Sequence, residues 1–292
     1  MFKKTLPCGL MAVFLLCSPV AWAAPCAQKD PAAQLACKMG SSKTQDEANA
    51  LIPELAKLGA KALPTISKVL KSSKNGKERA AVACTVEVMG ATAATVAPEL
   101  GRVLQDEYVL VRLCALKGLA VVGPWGATAI SSIRRSLEGK DLNVQLQALK
   151  TIDRLWPVMP VIIPDLVKIL DGKRDKRLKY ASAQILAKYG ALAMGAIPSL
   201  RKAMFAPDPK LQGLAVAVVH AMAPASWTES PSLLKLIANP KADAGVRKAA
   251  AVAMGKMGKY SKKFKPSLEE AMKIEGAPVP ELKAALKAVT GK

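Results

Sequence analysis

A motif returns about every 33 residues along this 292-residue chain, with a kinking proline, a capping Asp and a turn Gly in fixed order. The turn column reads Gly59, Gly90, Gly123, Trp156, Gly190, Ala223 and Gly258, at steps of 31, 33, 33, 34, 33 and 35 residues. Fifteen residues before each stand Thr44, Asn75, Tyr108, Asp141, Asp175, Asp208 and Asp243. All but the tyrosine are good helix N-caps, so each marks a helix start. Eight residues after the turn come Pro98, Ser131, Pro164, Pro198, Pro231 and Pro266, whereas Pro64 lies five after Gly59. Self-similarity at this period means a helical solenoid, in which no unit buries its own apolar face and stacking supplies the core.

Apolar residues fall at helical spacing after each cap, for example Leu211, Ala215, Val218, Val219 and Met222, or Val144, Ala148, Ile152 and Leu155. Hydrophobic residues make up 51% of the chain and aromatic residues only 4%, so the core is built from Ala, Leu, Val, Ile and Met, which suits close helix packing. The reading is all-α: an α-solenoid of about seven helical-hairpin repeats over residues 44–292, with N- and C-terminal capping helices. The last segment, Pro280 to Gly291, repeats one helix of the unit and should cap the C-terminal end.

Residues 1–23 have the form of a cleaved signal peptide, with Lys3 and Lys4 ahead of an apolar stretch from Leu10 to Val20 and Ala21-Trp22-Ala23 at the cleavage site. No later segment is expected to span a membrane, because Gln212 and His220 interrupt the most apolar run. The expected location is periplasmic or secreted. Cysteine usage agrees with export: Cys26, Cys37, Cys84 and Cys114 remain after cleavage. Cys26 and Cys37 flank a short helical stretch in the capping segment 24–43 and can close it by a disulfide. Cys84 and Cys114 fall on equivalent helices of adjacent repeats, either as a second disulfide or as two buried thiols.

The strings Ala97-Pro98-Glu99-Leu100 to Asp106 to Val111-Arg112, and Ile197-Pro198-Ser199-Leu200 to Asp208, resemble the HEAT repeat, with a proline in the first helix, an Asp in the turn and a basic residue early in the second. The likeness runs from about Thr44 to Gly291, in short bacterial units of the phycocyanobilin-lyase type. The resemblance implies that the column Arg79, Arg112, Gln145, Lys179, Gln212 and Arg247 forms a structural ladder with the turn Asp, and that the first helices lie on the convex side.

Charge suggests function. The whole chain carries +21, and loss of Lys3 and Lys4 leaves about +19. Four residues after the proline column stand Lys68, Arg102, Arg135, Lys168, Lys202 and Lys235, which stack into a basic ridge. A second patch, Lys256, Lys259, Lys262, Lys263 and Lys265, follows without an intervening acid. These point to a non-catalytic exported scaffold binding an acidic protein or anionic envelope polymer. Alternatives are an envelope assembly factor using apolar solenoid ends, or a bilin-lyase-like or nucleic-acid-acting protein. Nucleic acid fits poorly, since aromatic platforms are scattered over Trp125, Trp156, Trp227 and Tyr260. No enzyme, cofactor or metal is expected: the one histidine, His220, has no evident partner, and no Cys-x-x-Cys or phosphate loop occurs.

Overall fold

The computed structural model describes residues 26–155 and 160–291, and every regular element among them is helical. A capping helix α1 (Pro31–Ser41) and a broken helix α2 (Gln45–Ala50) and α3 (Ile52–Lys57) open the array. Seven hairpins follow. Their first helices are α4 (Leu63–Ser72), α6 (Ala97–Val103), α8 (Ile130–Glu138), α10 (Ile163–Asp171), α12 (Ile197–Met204), α14 (Ser230–Ile237) and α16 (Lys265–Ala271). Their second helices are α5 (Gly76–Met89), α7 (Val109–Val121), α9 (Leu142–Arg154), α11 (Lys176–Tyr189), α13 (Pro209–Ala221), α15 (Ala244–Met257) and α17 (Val279–Thr290). The architecture is the expected all-α, HEAT-like solenoid.

The cap column does what its chemistry requires. Asn75, Asp141, Asp175, Asp208 and Asp243 each accept the first free N–H groups of a second helix, and Thr44 does so for α2. Tyr108 stands at the same position but its phenol cannot cap. Asp106 Oδ1 accepts the backbone N–H of Tyr108 itself at 2.8 Å, which orders the loop but leaves the start of α7 without a side-chain cap. Second helices then stop at glycines of positive φ, between 51° and 68° at Gly90, Gly123, Gly190 and Gly258, a backbone that only glycine adopts at little cost.

The prolines do not kink the first helices. Pro64, Pro98, Pro164, Pro198, Pro231 and Pro266 occupy the first turn of α4, α6, α10, α12, α14 and α16, after a short 3-10 turn has brought the chain round. Their missing N–H lies where no intrahelical acceptor exists, so they start the helices. Pro53 breaks the leading repeat into α2 and α3 in the same way.

Second helices pack against one another more extensively than first helices do, so they form the inner layer. The core is a continuous stripe of Ala, Leu, Val, Ile and Met between the layers, including Leu55, Ile66, Leu100, Leu116, Ile133, Ile152 and Met254. The stretch Gly76–Val103 is apolar and long enough to cross a bilayer, contrary to the expectation of no such segment. Gly90 folds it back into α5 and α6, and α5 packs on α7 as core.

Disulfides join Cys26 to Cys37, with Cα atoms 5.4 Å apart, and Cys84 on α5 to Cys114 on α7, with Cα atoms 4.7 Å apart. Residues 1–23, expected above to be a signal peptide, and Trp156 lie outside the described residues.

Candidate functional site: the turn edge

Three surfaces compete for function: the outer face of the first helices, the inner face of the second helices, and the edge formed by the 3-10 turns. On the outer face all six ridge cations are exposed. They do not act as one strip. Lys168 Nζ lies 3.5 Å from Glu138 and Lys202 Nζ lies 3.4 Å from Asp171, each a carboxylate at the end of the preceding first helix. Lys235 sits over the Phe205 ring at 5.1 Å. Lys68, Arg102 and Arg135 meet no carboxylate among the described residues.

Beside the ridge, ion pairs tie successive first helices together: Lys71 to Glu99 at 2.7 Å, Arg134 to Asp165 at 2.7 Å, and Arg201 Nε to the fully buried Glu229 at 3.0 Å. Burial pushes the Glu99 carboxyl up, but Lys71 and Ser67 outweigh it and hold it below the usual carboxylate range. Much of the outer charge is therefore spent on repeat-to-repeat contacts.

The inner face is neutralised only in part, since Lys150 and Arg154 meet no carboxylate among the described residues. Lys117 pairs with Glu87 at 3.4 Å, Lys188 with Asp153 at 2.5 Å, and Lys248 with Glu281 at 3.0 Å. A groove of about 370 Å³ between α9 and α11 is lined by Lys150, Asp153, Gln184 and Lys188. His220 on α13 is half-buried; burial, then Lys256, holds its imidazole below the ordinary value. Among the described residues no three His, Cys, Asp or Glu side chains lie together in a way that could hold a metal ion.

Five of the six ladder residues hold loops or neighbouring repeats, Lys179 being the exception among the described residues, and their bonding differs from the ladder that the resemblance implied. Arg79 spans to Asp106 across repeats. Arg112, Gln145 and Gln212 instead donate to the carbonyls of Asp106, Gly139 and Ala206, each six residues back in its own loop. That contact holds the loop against the helix it leads into.

The turn edge differs from both faces. The turns Gly90–Val96, Gly123–Ala129 and Gly190–Ala196 contain no charged residue, in a chain that is 22% charged. Three successive repeats from the third onward project a large apolar side chain there: Trp125 at 62% exposure, Val161 at 54% and Leu192 at 70%. Trp227 and Tyr260, at 37% and 52%, continue the row in the next two turns. Trp125 is held by the turn itself, because Gly126 leaves no room for a Cβ, which would meet the Leu119 carbonyl oxygen at 2.2 Å.

The second sequence-marked patch lies at the C-terminal end of this edge. Lys256, Lys259, Lys262, Lys263 and Lys265 are all exposed around the Gly258–Phe264 turn. Lys265 faces Glu269 at 3.7 Å, whereas Lys259 and Lys263 lie over aromatic rings. Sequence reasoning missed Val161 and Leu192 and took Trp227 and Tyr260 as scattered. A signal existed: Trp125, Leu192 and Tyr260 each stand two residues after a positive-φ glycine.

No family model matches the chain, and no curated protein matches it. Solved structures do. One is Kap95p, which by its description binds RanGDP: 11% identity over 88% of this chain and 43% of that one, with a TM-score of 0.50. Others are human deoxyhypusine hydroxylase in complex with glycerol, 17% identical over 89% of this chain and 96% of that one with a TM-score of 0.37, and an engineered protein, 15% identical over 88% and 96% with a TM-score of 0.34. At these identities the likeness describes the fold, and the chain spans less than half of Kap95p.

The expectation of a non-catalytic scaffold gripping an acidic partner along the ridge is corrected. A fold does not fix function, so a HEAT-like solenoid does not imply absence of catalysis. The ridge itself is partly discharged by Glu138 and Asp171. Of the two solenoid ends, the C-terminal one is not uniformly apolar, since α17 turns Lys283 and Lys287 outward and buries Leu282, Ala285 and Val289.

Proposed function

We propose that this chain is a protein-binding HEAT-like solenoid that works through its turn edge, with Trp125, Val161 and Leu192 as anchors. The observation that carries this reading is the exposure of large apolar side chains at one edge of three successive repeats, on turns from which charge is absent. Interface energy concentrates in a few apolar and aromatic anchors, and a rigid array presents them at little ordering cost. Kap95p, a solenoid of similar fold that binds a protein, supports the class of partner.

Export belongs to the same proposal. The leader-like residues 1–23 support it, as do two disulfides, which persist in oxidising compartments.

The test is a photo-reactive side chain placed singly at Trp125, Leu192 or, on the outer face, Lys68, with the protein irradiated in an extract of the cells that make it. A discrete cross-linked protein at the two edge positions, absent at Lys68 and competed by unlabelled wild type but not by Leu192→Ser, is the expected result. Equal labelling at all three positions, or none at the edge, sinks the proposal.

A further inference from the structure

The Gly258 turn carries a different chemistry from the rest of the edge. Its sequence, Lys259-Tyr260-Ser261-Lys262-Lys263-Phe264, places three lysines and two rings in six residues, and Lys256 precedes it on the last turn of α15. Lys263 Nζ lies 5.4 Å from the Trp227 ring of the preceding turn and 5.1 Å from the Phe264 ring, and Lys259 Nζ lies 5.8 Å from Tyr260. Lys256, Lys259, Lys262 and Lys263 meet no carboxylate among the described residues. Glu229, the acid of the neighbouring turn, is buried and held by Arg201.

The turn is anchored and its lysines are exposed. Ser261 is buried, with its hydroxyl 2.6 Å from that of Ser230, which fixes the turn on the one before it. The nearest sizeable cavity, about 710 Å³ between α14 and α16, is lined by Phe264, Pro231, Leu234 and Ile274 but by none of these four lysines. Solubilising lysines need no aromatic neighbours. An acidic peptide would be gripped best in a groove, and these lysines stand outside the one nearby.

We propose that the Gly258 turn docks this protein on an anionic lipid bilayer. A bilayer needs no groove, because it deforms around projecting side chains. Tyr260 and Trp227 place amphipathic rings at headgroup level, while Lys256, Lys259, Lys262 and Lys263 meet lipid phosphates. The binding is peripheral and reversible, since a few rings and lysines supply far less than a spanning helix. It fixes one end of the solenoid to a membrane surface and leaves the Trp125, Val161 and Leu192 row for a protein partner. This inference does not depend on that partner.

The experiment is co-sedimentation of the disulfide-bonded protein lacking residues 1–23 with vesicles of phosphatidylcholine alone, or of equal phosphatidylcholine and phosphatidylglycerol. Wild type should pellet only with the anionic vesicles and be released by salt. Changing Lys259, Lys262 and Lys263 together to Gln should weaken partitioning about a hundredfold, at roughly a kilocalorie for each lysine. Tyr260→Ser should weaken it by a smaller factor, whereas Lys68, Arg102 and Arg135 changed together to Gln should leave it within about threefold. The proposal falls if the ridge variant loses as much as the turn variant, which would mean unspecific attraction by net charge. It falls equally if neutral vesicles bind as well, if wild type stays in solution with anionic vesicles, or if a soluble polyglutamate chain competes at matched charge.

Discussion

Arg79 on α5 holds the Asp106 carboxylate with two parallel hydrogen bonds, Nε at 2.7 Å and Nη2 at 2.9 Å, while its Nη1 donates to the Ser73 carbonyl at 2.9 Å. Asp106 also accepts the backbone N–H of Tyr108, the residue that leads into α7. One buried pair therefore closes the loop before α5 and orders the loop before α7. Arg79→Met should destabilise the fold by about 3 kcal/mol, because it strands a buried carboxylate. Arg79→Met with Asp106→Leu should recover part of that loss, though not the Tyr108 contact. Urea unfolding of the three variants measures it, and equal stability of Arg79→Met and wild type would mean that the pair holds nothing.

The Cys84–Cys114 disulfide crosses between second helices that already pack closely, and its cysteines have a sequence separation of 30. Cross-linking a loop of that size restricts the unfolded chain by about 3.6 kcal/mol on the chain-entropy account. Cys84→Ala with Cys114→Ala should lower the urea midpoint accordingly while keeping helical circular dichroism unchanged. An unchanged midpoint would show that the α5–α7 interface sets stability alone.

Gly126→Ala should cost about 2 kcal/mol, since the new methyl meets a backbone carbonyl at 2.2 Å and the Trp125 turn must shift. Gly195 in the Gly190 turn has nothing within 4 Å, so Gly195→Ala serves as the control and should stay within about 0.5 kcal/mol of wild type. Thermal melts separate the two. Similar losses at both positions would mean that the turns respond to helix propensity and not to the clash.

His220 gives the fold a pH dependence of definite sign. Its folded pKa lies below the ordinary 6.5, from burial first and then Lys256. The unfolded chain therefore binds the proton more readily, so the contribution of His220 is complete above pH 6.5 and is lost as pH falls from there to the folded value. The melting temperature should drop over that window, and His220→Gln should flatten the drop. A wild-type melting temperature that rises on acidification would reverse the assignment.

The solenoid was legible because its signals are local. A cap residue, an early proline and a terminal glycine each act within one helical turn, so Asp141, Pro198 and Gly258 announce their structure without reference to the rest of the chain. The proline column was legible in position but not in role, since Pro at a helix start and Pro at a kink give the same spacing. Charge was legible only as a total. Lys168 and Lys202 look like Lys68 in sequence, but each meets a carboxylate 30 or 31 residues back, a contact that exists only after two repeats stack.

By itself the sequence determined the period, the helix boundaries and the two layers, because these follow from short-range hydrogen bonding and from the spacing of apolar side chains. Tertiary structure decided which side chains remained available. Trp125 and Leu192 could have been core, and Glu229 could have been surface; stacking left the first two in solvent and buried the third against Arg201. Exposure depends on what the neighbouring repeat places alongside, roughly thirty residues away in sequence. No single unit carries that information.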